Sequence, residues 1–114
     1  MKEYNARYAA DGAIWFLECC DLNTMQIRRA MWQMREAGWF EHAAGFLIGR
    51  PLNGGPFFNT DQYAAVTDIL GCLGVPILMD LDIGHLSPMM PIISGACAEV
   101  SAGANEIEIR YLFK

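Results

Sequence analysis

Two residues of this sequence stand where a parallel sheet collects its chemistry. Glu18 ends an apolar run in IWFLEC, and His85 follows another in DLDIGH. If both runs are parallel strands of one sheet, their carboxyl ends share an edge, where a carboxylate can orient an imidazole for general acid-base work. Asp80 and Asp82 are rival partners for His85, being close to it in sequence. The plainer readings are a solvated Glu at a strand end and a surface His in a turn after Gly. Ser87, Ser94 and Ser101 are the only serines, and none lies in a G-x-S-x-G-like elbow. Ser87 with His85 would draw nucleophile and base from one turn, whereas triad geometry needs converging elements.

Other chemistry-bearing residues have ordinary explanations. Cys19 and Cys20 are adjacent and lack the two-residue spacer of a redox or zinc pair. Cys72 and Cys97 lie in apolar, small-residue stretches typical of buried free thiols, so four reduced cysteines are expected. The segment GRPLNGGP, residues 49–56, shares only its glycine content with a phosphate loop and reads as a flexible loop. Within it, Arg50 could meet a substrate carboxylate, although an exposed loop Arg is the commoner case. The methionines read as core filler. No role attaches to His42.

The elements that must position Glu18 and His85 follow from periodicity. Gly12 to Leu17, Ala44 to Ile48 and Val75 to Leu81 are apolar runs of strand length without polar alternation, as strands buried on both faces should be. Asn23 or Thr24 can cap a helix running to about Ala37, with Ile27, Ala30, Met31 and Met34 on one face and Gly38 as the stop. Asn59 with Gln62 forms a capping-box pattern for a second helix, its stripe running Tyr63, Val66, Ile69, Leu70 and Leu73 to Gly74. The β-α-β-α-β order demands parallel strands with right-handed crossovers. Beyond His85, Met90 to Ile93, Ala98 to Ser101 and Glu106 to Leu112 read as short antiparallel strands. The fold class is therefore α/β, a parallel unit with an antiparallel annex.

Length and composition set the bounds. A chain of 114 residues supports one core, so residues 1–114 are expected to form a single domain. Hydrophobic residues make up 54% and charged residues 18%, a surplus of apolar surface that points to packing against a further partner. A net charge of -5 with no basic run excludes a nucleic-acid footprint. The longest apolar stretch, Ile69 to Met79, is broken by Gly71, Gly74 and Pro76, so no membrane span or membrane partner is expected. The opening MKEYNARYAADG lacks an apolar signal region, and the chain reads as cytoplasmic.

Several motifs recur in a recognisable order: GAIWFLE, then MQIRRAMWQM, GFLIGR, a Gly-Val-Pro strand entry, Gly84-His85, and Pro-Ile-Ile-Ser-Gly. From about Gly12 to Ile109 the sequence resembles the C-terminal domain of the LD-carboxypeptidase (muramoyltetrapeptide carboxypeptidase) family of serine peptidases. The resemblance implies a swivelling β/β/α-like C-terminal domain and a Ser-Glu-His triad, with Glu18 as the acid and His85 as the general base. It also implies a murein peptide substrate, no metal or other cofactor, and a nucleophilic Ser on a separate N-terminal domain absent from these residues. Without that domain this part is expected to be inactive. Relatives dimerise, which leaves a homodimer open. The sequence departs from the family where Cys19-Cys20 follows the Glu, a position at which most relatives carry an acidic residue. Two alternatives stay open: a microcin C immunity-type peptidase of the same family, and a non-catalytic α/β interaction domain.

Overall fold

The computed structural model describes residues 1–113. Its elements in chain order are α1 (Lys2–Tyr8), β1 (Ala13–Leu17), α2 (Thr24–Glu36), β2 (Ala43–Gly49), α3 (Gln62–Leu70), a single 3-10 turn (Gly71–Leu73), β3 (Ile77–Leu81), β4 (Ala98–Gly103) and β5 (Glu106–Tyr111). The first three strands form a parallel sheet in the order β1-β2-β3, and β4 and β5 form an antiparallel pair. The α/β class with an antiparallel annex is the one expected. No helix among the described residues is long and apolar enough to cross a membrane.

The core follows from the amphipathic helices. Ile27 and Met31 of α2 and Ala65, Val66, Ile69 and Leu70 of α3 close over Phe46 and Ile48 of the central strand β2. Both helices start on side-chain caps. Asn23 accepts from the Gln26 amide at 3.0 Å, while the Gln26 side chain accepts from the Asn23 amide at 2.9 Å, closing a capping box. At the other end of α2, Gly38 adopts φ +78, and the Trp39 N–H reaches the Met34 carbonyl at 3.1 Å, the 6→1 bond of a Schellman motif.

Several local expectations are corrected. The cap of α3 is Asp61, which accepts from the Ala64 amide at 2.8 Å, rather than Asn59. Asn59 is used in a tight turn, where Phe58 (φ +46) and Asn59 (φ +61) sit between the mutually bonded Phe57 and Thr60. Met90 to Ile93 is not a strand. Cys72, in the 3-10 turn after α3, and Cys97, just before β4, are exposed rather than buried. Strands β1 and β3 are not covered on both faces: they lie at the two sheet edges, Ile14 and Phe16 of β1 remain 40% and 37% exposed, and no residue of β3 is fully buried. Finally, α1 lies in what reads as a polar lead-in; its buried Asn5 donates to the Gly38 carbonyl at 2.8 Å and to Glu41 at 3.1 Å.

Two features at the carboxyl edge of the sheet set the path of the chain toward His85. Leu47 pairs with Leu78 but Gly49 pairs with Leu81, so β3 carries one extra residue there, and Asp80 takes φ +60 within this bulge. The chain then turns sharply, the Ile83 N–H returning to the Leu81 carbonyl at 2.8 Å, and presses Ile83 against the end of β2. A Cβ on Gly49 would overlap the Ile83 carbonyl group. Only glycine permits that approach. Gly49→Ala is therefore expected to destabilise the fold by about 2 kcal/mol or more. Gly55→Ala, where a Cβ meets nothing within 4 Å, should change stability by less than about 0.5 kcal/mol. Urea unfolding of the two variants checks the contrast.

Candidate active site

The carboxyl edge brings Glu18 and His85 together. Glu18 is the first residue beyond β1, and His85 is the fourth beyond β3. In a parallel sheet these exits face the same way, and the His85 Nδ1 contacts the Glu18 Oε1 directly. A carboxylate acceptor on Nδ1 selects the tautomer that carries its proton there and leaves Nε2 as the free base. The Glu18 side chain is 31% exposed and that of His85 is 62% exposed, so the pair sits on an open rim.

The rival carboxylates are committed elsewhere. Asp80 accepts from the Tyr63 hydroxyl at 2.7 Å, and that bond to a carboxylate raises the Tyr63 pKa. Asp82 pairs with Arg50 at 2.9 Å. Among the described residues no serine bonds to His85, and Ser87, Ser94 and Ser101 are all exposed.

Backbone contacts position the pair. Gly84 adopts φ +119, and a Cβ there would lie 2.8 Å from Glu18 Cγ and 3.1 Å from its Cδ. The Glu18 side chain thus lies across the glycine that immediately precedes His85. Arg50, just past β2, anchors the His85 loop: its Nη2 donates to the carbonyls of Leu86 at 3.2 Å and Pro88 at 2.9 Å and pairs with Asp82. The sequence admits Arg50 as a substrate contact; in the structure its Nη2 is engaged by the loop and its buried Nε has no partner among the described residues. The Met90 N–H closes the loop on the Asp82 carbonyl at 2.7 Å.

The segment read as a flexible loop is also anchored. Leu52 donates from its N–H to the Cys20 carbonyl at 3.0 Å, Asn53 Nδ2 donates to the Asp21 carbonyl at 2.8 Å, and the fully buried Thr24 donates to the Gly55 carbonyl at 2.6 Å. These bonds shape the turn after Glu18, in which Cys20 takes φ +42, an uncommon conformation for a residue with a side chain. The two adjacent cysteines consequently diverge. Cys19 enters the core, where burial and then the Glu18 charge push its thiol up to about 11. Cys20 is half-buried, and its sulfur lies near Glu18 and His85. Sequence spacing missed Cys20 because its placement depends on that turn.

This geometry has measurable consequences. Gly84→Ala should separate Glu18 from His85, and the loss is expected as weakened protection of the His85 Nδ1 proton in NMR spectra, whereas Gly71→Ala, where an added Cβ meets nothing within 4 Å, leaves that signal unchanged. The four thiols are free, so all should react with a disulfide reagent in denaturant. In the native protein at pH 8, Cys19 should react slowest: pH 8 lies below its raised value, so the thiolate is scarce as well as buried. Residue-resolved mass spectrometry of the labelled protein checks that order.

Similarity to known proteins runs over nearly the whole chain. Residues 2–100 match the sequence family described as the LD-carboxypeptidase C-terminal domain. The chain is 30% identical over 105 residues to a Streptomyces coelicolor protein named as a carboxypeptidase, covering 92% of this chain and 33% of that one. The crystal structure of a muramoyltetrapeptide carboxypeptidase from Oxalobacter formigenes superposes with a TM-score of 0.75 at 18% identity, over 96% of this chain and 42% of that one, a likeness of fold. The chain thus spans about a third of the length of the curated relative. With the family match covering nearly all of its residues, the chain belongs to the LD-carboxypeptidase C-terminal domain family.

Proposed function

We propose that Glu18 and His85 are the acid and base of a Ser-Glu-His triad in a serine peptidase that releases terminal D-Ala from murein tetrapeptides during cytoplasmic cell-wall recycling. The nucleophilic Ser, in this reading, belongs to a domain outside these residues, as does the oxyanion hole. The observation that carries the reading is the contact between His85 Nδ1 and Glu18, with both rival aspartates bonded elsewhere.

The chemistry follows from the tautomer. His85 Nε2 takes the proton of the serine hydroxyl as its oxygen attacks the carbonyl carbon of the scissile amide. The tetrahedral intermediate collapses, the amide C–N bond breaks, and the same proton passes from Nε2 to the leaving nitrogen of D-Ala. Water then repeats the cycle on the acyl-enzyme. Throughout, Glu18 holds the ring and stabilises the imidazolium without taking its proton. The open rim suits this role, because a serine and a peptide must both approach Nε2 from outside the domain.

The test joins this domain to its Ser-bearing partner and measures D-Ala release from a murein tetrapeptide. The 114 residues alone should release none. In the joined protein, His85→Ala should lower kcat by about 10⁴-fold or more with little change in KM. Glu18→Gln should cost less than His85→Ala, since the amide keeps the shape but loses the charge that stabilises imidazolium. Asp80→Asn and Asp82→Asn should be milder than Glu18→Gln. A crippled Asp82→Asn beside a nearly silent Glu18→Gln would overturn the assignment. Full activity in His85→Ala would reject the triad reading and favour a non-catalytic domain.

A further inference from the structure

The turn after β1 and the loop after β3 converge with a third side chain that the triad does not use. A carboxylate oxygen of Glu18, the sulfur of Cys20 and a ring nitrogen of His85 all lie within 4.8 Å of one another. Glu18 and Cys20 come from one turn two residues apart, and His85 arrives from a separate loop. Two of the three positions are fixed by backbone contacts: Cys20 through the Leu52 N–H on its carbonyl, and His85 through the Arg50-anchored loop.

The donor set discriminates among cations. A mixed sulfur, nitrogen and oxygen triad suits Zn²⁺ and its analogue Co²⁺, whereas Mg²⁺ and Ca²⁺ take oxygen ligands. Tetrahedral Zn²⁺ with metal–ligand distances of about 2.0–2.3 Å separates its ligand atoms by about 3.3–3.7 Å. Side-chain rotation suffices to bring the Cys20 sulfur from 4.8 Å or less to that spacing and to part Glu18 and His85, which are in direct contact, by the width of the ion. The exposed His85 side gives an ion access and leaves a fourth position for water. The other three thiols cannot substitute: Cys19 is packed in the core, and Cys72 and Cys97 are outside the cluster.

We propose that Glu18, Cys20 and His85 form a binding site for Zn²⁺, in which the cation replaces the proton shared by Glu18 and His85. Binding displaces the thiol proton of Cys20 to solvent, shifts the His85 proton from Nδ1 to Nε2 by exchange with solvent, and leaves the oxidation state of the ion unchanged. A bound ion also removes His85 as a base, so the site acts as a reversible block; that consequence rests on the peptidase reading, while the binding does not.

Titration of the reduced 114-residue chain with Co²⁺ tests the site. The expected result is one equivalent showing a thiolate-to-cobalt charge-transfer band with tetrahedral d–d absorption, bleached by Zn²⁺ and unaffected by excess Mg²⁺. Cys20→Ser, nearly isosteric, should abolish the charge-transfer band. His85→Ala and Glu18→Gln should each weaken binding by at least the roughly 10–100-fold that loss of an outer-shell partner costs. Cys72→Ser and Cys97→Ser should leave the spectrum unchanged. Absence of the band, or a band that survives Cys20→Ser, overturns the proposal. Failure of peptide hydrolysis leaves these spectra untouched, so the two readings fail separately.

Discussion

The site depends on a close approach that two missing side chains permit. The chain leaving β3 crosses the ends of β2 and β1 in succession. At the first crossing Gly49 admits the Ile83 carbonyl, and at the second Gly84 admits the Glu18 side chain. Neither contact adds much attraction by itself. Together they remove the alternatives, because a methyl group at either position would lift the His85 loop off the sheet edge. The bulge at Asp80 and the buried Ile83 then give the loop one path, and the imidazole meets the carboxylate as a result of backbone packing.

Charge has a secondary part in this arrangement. The Arg50–Asp82 pair is partly exposed, and such pairs contribute on the order of 0–1 kcal/mol. The two carbonyl bonds from Arg50 matter more, because they tie a segment without secondary structure to the end of a sheet strand. The same logic operates on the other side of the site. There Leu52, Asn53 and Thr24 bond the glycine-rich segment to the turn after Glu18 and hold Cys20 in a backbone conformation that an unanchored turn would relax.

Much of the scaffold was legible in the sequence, and the reasons are physical. Apolar runs of strand length and amphipathic helices are visible in a sequence, so β1, α2, β2, α3 and β3 could be read in order, and parallel topology then put the Glu18 and His85 positions on one edge. What escaped depends on contacts distant in sequence. Helix α1 is short and polar, and it is held by Asn5 bonding across more than thirty residues to Gly38 and Glu41. Asn59 satisfies both a capping pattern and a left-handed turn, and only the Phe57–Thr60 closure decides between them. The role of Arg50 requires the path of a loop that no local signal encodes, and Cys20 requires the φ of a single residue.

The Arg50 contacts carry one further implication, for how such a domain can diversify. Arg50 grips the carbonyl groups of Leu86 and Pro88 and not their side chains, and Met90 closes the loop through its own amide. The side chains between His85 and Met90 are therefore free of any hydrogen-bonding duty in holding the imidazole. Met89, at 62% exposure, projects outward from that stretch. Residues beside His85 can be exchanged while the imidazole itself stays in place, so a short loop combines an anchored ring with an adaptable surface.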